Sequence, residues 1–148
     1  MNAQTKTVFW FEDDSHGVKD HIESLKKNYQ VESGASWDII RKKREQPINL
    51  VIIDFMIHAL SSNEEGEDVE NIRFDGINWT ETGLGFLQRI RQGEYAEYGF
   101  DANVPIIAAT AVVTYPARTR AEEVKINGFL VKPFSFDELK IAVEKCLL

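Results

Sequence analysis

The chain has 148 residues, a hydrophobic fraction of 43% and a formal net charge of −7. This length and composition suit one globular domain, so we interpret residues 1–148 as a single domain. The acidic balance argues against a nucleic-acid-binding surface and against binding to an anionic membrane. Cys146 is the only cysteine, and we find neither a leader-like segment nor an apolar run that could span a bilayer. We therefore expect a cytoplasmic protein without disulfide bonds.

The first third of the chain alternates between apolar runs and amphipathic stretches. The run Val8–Phe11 predicts a buried strand, and the apolar spacing that follows predicts a helix over residues 15–27. A weaker strand is predicted over residues 30–33. Ser36 is a predicted N-cap for a second helix that ends with the basic residues 41–44. We expect these cations to stabilise the helix C-terminus rather than to bind a ligand.

The rest of the chain continues the alternation after one long interruption. The run Leu50–Ile53 is typical of a strand buried on both faces. Residues 59–80 are acidic and without period, and we interpret them as an insertion that is either a solvated loop or a lid and partner-docking element. The remaining predicted elements are a helix over 81–92, a strand over 104–111, a helix over 116–125, a strand over 128–131 and a last helix opened by the capping box Ser135–Glu138. This pattern predicts a (βα)5 α/β fold in which helices cover both faces of a parallel sheet.

Polar side chains stand at the ends of four predicted strands. They are Glu12, Asp13 and Asp14 after the first strand, Asp54 after the third, Thr110 at the end of the fourth and Lys132 after the fifth. The carboxyl ends of parallel strands share one edge of the sheet, so these residues are expected to converge. Carboxylates without a thiol suit Mg²⁺, and one of them could act as a nucleophile that forms an aspartyl phosphate. A lysine supplies a point charge for a phosphoryl oxygen.

These motifs resemble a known signature. Glu12-Asp13, Asp54, Thr110-Ala111 and Lys132-Pro133-Phe134 look like the motifs of the receiver domains of two-component response regulators. The resemblance extends from Thr7 to Leu148 apart from the insertion. It implies a doubly wound, flavodoxin-like (βα)5 sheet of strand order 2-1-3-4-5. It also implies transfer of a phosphoryl group to the central aspartate from a histidine kinase or a phosphotransfer protein.

The resemblance assigns the acceptor and the cofactor to particular residues. Asp54 is the expected phosphorylation site and the catalytic nucleophile. Mg²⁺ is the expected cofactor, with Asp13 and Asp54 as direct ligands. Glu12 is expected to act on the metal through a water, and Met56 is expected to contribute its backbone carbonyl.

The resemblance also assigns the residues that respond to phosphorylation. Lys132 is expected to pair with Asp54 or with its phosphoryl group, and Thr110 is the expected switch hydroxyl. Phe129 matches the switch aromatic. Readout is then expected on the face formed by the last strand and the helices on either side of it in the chain.

The histidines are not part of this signature. His58 stands four residues after the expected acceptor, where many receivers have a proline, and His16 and His21 lie on the first predicted helix. We expect the side chains of His16 and His21 to face solvent. His58 either faces solvent as well, which we expect, or contacts the phosphoryl group.

The chain is therefore expected to be a switch that catalyses its own phosphorylation and dephosphorylation, not a conventional enzyme. We expect its output to pass through a downstream protein partner, and we expect no direct contact with nucleic acid or a membrane. The alternative is a pseudo-receiver that binds proteins without being phosphorylated. An aspartyl phosphatase is disfavoured, because such enzymes commonly need a second carboxylate where this chain has Met56.

Overall fold

The fold alternates strands and helices in the computed structural model, which describes residues 5–11, 15–34, 39–53, 82–110 and 125–147. The strands are β1 (Thr7–Phe11), β2 (Gln30–Gly34), β3 (Leu50–Ile53), β4 (Ile106–Thr110) and β5 (Gly128–Val131). The helices are α1 (Ser15–Leu25), α2 (Thr82–Arg91) and α3 (Phe136–Leu147), with a short 3₁₀ helix at Ala96–Tyr98. The predicted insertion at 59–80 and residues 116–124 of a predicted helix lie outside the described residues.

The five strands form one parallel sheet of order β2-β1-β3-β4-β5. This order confirms the prediction of a doubly wound, flavodoxin-like α/β fold. Every residue of β1 and β3 is buried, as expected for inner strands that have helices or loops on both faces. No helix in the described ranges is long and apolar enough to cross a membrane.

The two faces of the sheet carry separate apolar clusters because successive side chains of a strand point to opposite faces. On one face, Val8 and Trp10 of β1 pack with apolar residues of α1 and α3. On the other face, Phe9 and Phe11 pack with α2 and with the segment that precedes β4. Each large side chain that is fully removed from water contributes roughly 1.5–3 kcal/mol to this packing. The side chains that were predicted to form the apolar face of α1 are buried, namely Val18, Ile22 and Leu25.

The segment between α2 and β4 lies outside the predicted helices and strands, but it contributes to the core. Tyr95 and Phe100 are buried in the cluster that contains Phe86 of α2. The ring centroids of Phe86 and Tyr95 lie 5.5 Å apart. Gly99, between these aromatic residues, has φ +96°, a left-handed conformation that glycine adopts without steric cost. Its carbonyl accepts a hydrogen bond from the Ile48 N–H.

The predicted end of the second helix at the basic residues 41–44 is wrong. Residues 40–41 form a turn and residues 42–44 have no regular structure. The guanidinium of Arg44 donates hydrogen bonds to the carbonyl oxygens of Ile39, Ile40 and Lys42. The side chain of Arg44 therefore satisfies local backbone acceptors while the chain turns away from a helix. The predicted role of Arg44 as a helix-end charge is also wrong, since residues 40–44 are not helical; its side chain is only 4% exposed.

Candidate functional site

The candidate site lies at the carboxyl edge of the sheet, where β1 and β3 end side by side. Phe11 and Ile53 are the last residues of these strands and pair in register. Neighbouring strands are about 4.8 Å apart, so the two chain segments leave the sheet next to each other. The acids that follow lie outside the described residues, as do the other expected ligands; these residues are Glu12, Asp13, Asp14, Asp54 and Met56.

The same edge receives the ends of β4 and β5. Ile53 of β3 pairs with Ala108 of β4, which continues to Thr110. Thr110 pairs with Val131, the last residue of β5, and Lys132 follows directly. The fold therefore brings the backbones of Thr110 and Lys132 close together, as the sequence predicts. The side chain of Thr110 is outside the described part of the chain.

Phe129 lies further back on the edge strand β5. Its backbone pairs with Ala108 in register. The side chain is half-buried and packs against the aromatic cluster on the α2 face. Its role as the switch aromatic stays a prediction.

The segment after Lys132 is fixed by packing and by a helix cap. The Lys132–Pro133 peptide bond is cis. The Phe134 ring is buried, and its centroid lies 6.4 Å from that of Trp10 on β1, with the rings 22° from parallel. Ser135 is the predicted N-cap of α3, and its Oγ accepts a hydrogen bond of 3.1 Å from the Glu138 N–H. The Glu138 Oε1 accepts one of 3.4 Å from the Ser135 N–H, which confirms the predicted capping box.

A further contact to this segment comes from α1. His21 Nε2 lies 3.0 Å from the carbonyl oxygen of Phe134, and the two ring centroids are 5.1 Å apart. The prediction that His21 faces solvent is therefore wrong: its side chain is half-buried, and its Nδ1 is shielded from solvent. A signal was present in the sequence, since His21 lies three residues after Val18 and one before Ile22, at the border of the apolar face. The side chain of His16 and the whole of His58 lie outside the described residues.

The expected metal ligands come from segments that border the described strands. Among residues 5–11, 15–34, 39–53, 82–110 and 125–147, no three histidine, cysteine or acidic side chains are close enough to share a metal ion. The Mg²⁺ prediction therefore depends on the acids that directly follow β1 and β3. Carboxylate and carbonyl oxygens from those segments are the hard ligands that this ion prefers.

Comparisons with known proteins identify solved structures of the same fold. No protein-family model matches this sequence, and no curated protein sequence matches it either. The non-phosphorylated HemR receiver domain from Leptospira biflexa matches with 19% identity and a TM-score of 0.66, over 97% of this chain and 94% of that chain. The chemotaxis protein CheY4 from Vibrio cholerae matches with 18% identity and a TM-score of 0.65, over 99% of this chain and 100% of that chain.

A third similar structure is the BeF3-activated receiver domain of DrrB from Thermotoga maritima. It matches with 15% identity and a TM-score of 0.67, over 97% of this chain and 98% of that chain. The predicted resemblance to receiver domains is thus confirmed at the level of the fold.

Proposed function

We propose that this chain is a phosphoryl-accepting receiver of a two-component system or phosphorelay, with Asp54 as the acceptor. One observation carries the proposal: β1, β3, β4 and β5 end at one edge in parallel register. The residues at or directly after these ends are acids, an aspartate, a threonine and a lysine. Phosphoryl transfer to a carboxylate uses a nucleophilic carboxylate, further acids that hold a metal ion, and a cation and a hydroxyl donor for the phosphoryl oxygens. The likeness to receiver domains supports the proposal through the fold.

The proposed reaction transfers one phosphoryl group to the Asp54 carboxylate. A carboxylate oxygen attacks the phosphorus of a phosphohistidine on the donor protein. The bond from phosphorus to the imidazole nitrogen breaks, and an acyl phosphate forms on Asp54. The ammonium group of Lys132 offsets charge on the phosphoryl oxygens, and the Thr110 hydroxyl donates a hydrogen bond to one of them.

Mg²⁺ is the proposed cofactor, and its donor set is made of oxygen atoms. Asp13 and Asp54 would bind it directly, Glu12 through a water and Met56 through its backbone carbonyl. When bound, Mg²⁺ supplies positive charge at the phosphoryl oxygens. The described part of the site fits this set, since the strands that lead to these acids end as in-register neighbours.

The proposed switch needs two kinds of partner protein, a phosphoryl donor and a downstream target. A histidine kinase or phosphotransfer protein supplies the phosphoryl group, and Thr110 and Phe129 pass the change to a downstream protein partner. Residues 1–148 form the proposed single receiver domain, with the insertion at 59–80, and its proposed location is the cytoplasm. The domain catalyses its own phosphorylation and dephosphorylation, and is not a conventional enzyme.

Acetyl phosphate tests this proposal without the donor protein. The chain is incubated with acetyl phosphate and Mg²⁺, and its intact mass is measured. We expect the wild type to gain one phosphoryl group, and we expect Asp54→Asn or a chelator of Mg²⁺ to prevent it. Asp137→Asn, an exposed aspartate on α3, is the matched control and should behave as the wild type.

Two results would contradict the proposal. Equal uptake by Asp54→Asn would remove this residue as the acceptor. No uptake by the wild type would favour the alternative, a pseudo-receiver that binds proteins without phosphorylation.

A further inference from the structure

His21 connects α1 to the segment that carries Lys132. The distance of 3.0 Å between His21 Nε2 and the Phe134 carbonyl oxygen is that of a hydrogen bond. A carbonyl oxygen can only accept, so the proton is assigned to Nε2, which donates. His21 Nδ1 is shielded and has no partner among the described residues. Within the described residues, the His21 ring therefore makes one hydrogen bond, to the backbone carbonyl of Phe134, two residues after Lys132.

The hydrogen bond between His21 and the Phe134 carbonyl is well placed to restrict the backbone position of Lys132. Only Pro133 separates Lys132 from the anchored Phe134, and the proline ring fixes its own φ. Few backbone torsions are therefore free between the lysine and the carbonyl that His21 binds. On the other side of the site, α1 begins at Ser15, directly after the acidic segment 12–14. One helix thus joins the segment that carries Asp13 to the segment that carries Lys132.

We propose that His21 is a positioning residue for Lys132 during phosphoryl transfer. This inference rests on the proposed function and names a residue that the receiver signature in this chain does not contain. His21 acts through the backbone: its N–H holds the Phe134 carbonyl and thereby the distance of Lys132 from the carboxyl ends of β1 and β3. Displacing a charged group by about 1 Å in such a site can slow a reaction by roughly 100-fold.

The packing around Phe134 separates this positioning role from general stability. The Phe134 ring is buried against Trp10 and the apolar residues of α3 independently of the hydrogen bond. A variant that loses only the His21 donor keeps this apolar contact. We therefore expect the fold to survive while the carbonyl, and with it Lys132, becomes less restricted.

The experiment compares two substitutions at His21 with a control in the turn that directly follows α1. His21→Leu keeps apolar bulk but has no donor, whereas His21→Gln places an N–H at a similar reach. Lys26→Ala removes an exposed 3.3 Å ion pair with Glu23 from α1 and is the matched control. The rate of phosphorylation by acetyl phosphate is measured over a series of Mg²⁺ concentrations, which yields a limiting rate and an apparent Mg²⁺ affinity for each variant.

We expect His21→Leu to lower the limiting rate about tenfold, since one positioning contact is lost. Its apparent Mg²⁺ affinity should stay at the wild-type value, because the expected metal ligands lie on other segments. His21→Gln should restore most of the rate, and Lys26→Ala should match the wild type. An unchanged rate in His21→Leu would overturn the inference, and so would a fall in Mg²⁺ affinity that accounts for the loss of rate.

A second measurement does not depend on phosphoryl transfer. Amide hydrogen exchange at Lys132, Phe134 and Ser135 should become faster in His21→Leu and not in Lys26→Ala, because the former frees the anchored backbone. Unchanged exchange would overturn the inference even if the wild type accepted no phosphoryl group. Failure of the wild type in the acetyl phosphate assay would instead contradict the proposed function.

Discussion

Arg44 and Glu32 form a bidentate ion pair whose arginine side chain is 4% exposed, while the carboxylate partner is 27% exposed. The guanidinium carbon also lies 5.0 Å from the ring centroid of Phe100 and 5.5 Å from that of Phe9. A further N–H of the same group donates to the carbonyl oxygen of Tyr98. One buried cation thus joins β2, the turn after it and the aromatic segment before β4.

We predict that Arg44→Met lowers the free energy of unfolding by roughly 3 kcal/mol, because it leaves the Glu32 carboxylate and several partly buried carbonyls without their partner. Urea denaturation followed by circular dichroism measures this change. The matched control is Lys43→Met, an exposed neighbour that should change stability by less than about 0.5 kcal/mol. Similar losses in both variants would contradict the role assigned to Arg44.

The two faces of α3 differ in what they contribute. Leu139 is fully buried in the cluster beside α1, whereas Ile141, two residues later, is 56% exposed. We predict that Leu139→Ala costs roughly 2–5 kcal/mol through lost transfer energy and the cavity left behind. Ile141→Ala should cost less than about 1 kcal/mol. Denaturant titration of the pair checks the packing of α3, and a larger loss at Ile141 would show that the assigned face is wrong.

The cap of α3 gives a smaller and more specific prediction. Ser135→Ala removes the acceptor of the Glu138 N–H and should cost about 1 kcal/mol. Ser135→Asp keeps an acceptor at the same position and should retain most of the stability. Thermal unfolding of both variants tests this, and equal destabilisation by alanine and aspartate would exclude capping as the cause.

Lys132 carries the prediction on activity. Lys132→Gln keeps most of the length of the side chain but loses the charge, so phosphorylation by acetyl phosphate should slow roughly 100-fold. Lys140→Gln, an exposed lysine on α3, is the control and should leave the rate unchanged. The time course of the intact mass measures both. A Lys132→Gln protein that reacts at the wild-type rate would remove this lysine from the proposed mechanism.

Tyr95 gives a prediction on alkaline stability. Burial raises the pKa of its phenol above the ordinary value, and this effect exceeds the opposing influence of Arg89. The folded protein then holds this proton more tightly than the unfolded chain does. The resulting contribution to stability is complete below the unfolded pKa of about 10, and it is lost as the pH rises through the higher folded pKa.

The measurement is the free energy of unfolding of the wild type and Tyr95→Phe between about pH 8 and pH 11. We expect the wild type to lose more stability than Tyr95→Phe over this range, because phenylalanine has no proton to release. Parallel curves would contradict a raised pKa at this position.

Sequence patterns predicted correctly the features that depend on residues close together in the chain. The runs Val8–Phe11 in β1 and Leu50–Ile53 in β3 are apolar at every position, which is typical of a strand with both faces buried, and the structure buries all of these residues. The capping box at Ser135 involves groups three residues apart, so it was visible in the sequence. The convergence of strand ends followed from parallel topology alone.

The predictions that failed concern contacts between distant segments. His21 was expected to face solvent, but its partner Phe134 is 113 residues away. Arg44 was expected to be a helix-end charge, but one of its acceptors, Tyr98, is 54 residues away. A side chain at the border of an apolar face can turn to water or to a neighbouring element, and its own sequence neighbours do not decide which.

The sequence by itself determined the chain order of the five strands and of α1, α2 and α3, the apolar faces that build two core clusters and the polar residues at the strand ends, because periodicity and capping act over a few residues. Only the tertiary structure decided which side chain holds the segment after Lys132 and which cation is buried, since these depend on which elements the folded sheet brings into contact. Burial makes each of these contacts important for stability, because a donor or acceptor removed from water costs free energy unless it forms a hydrogen bond within the protein.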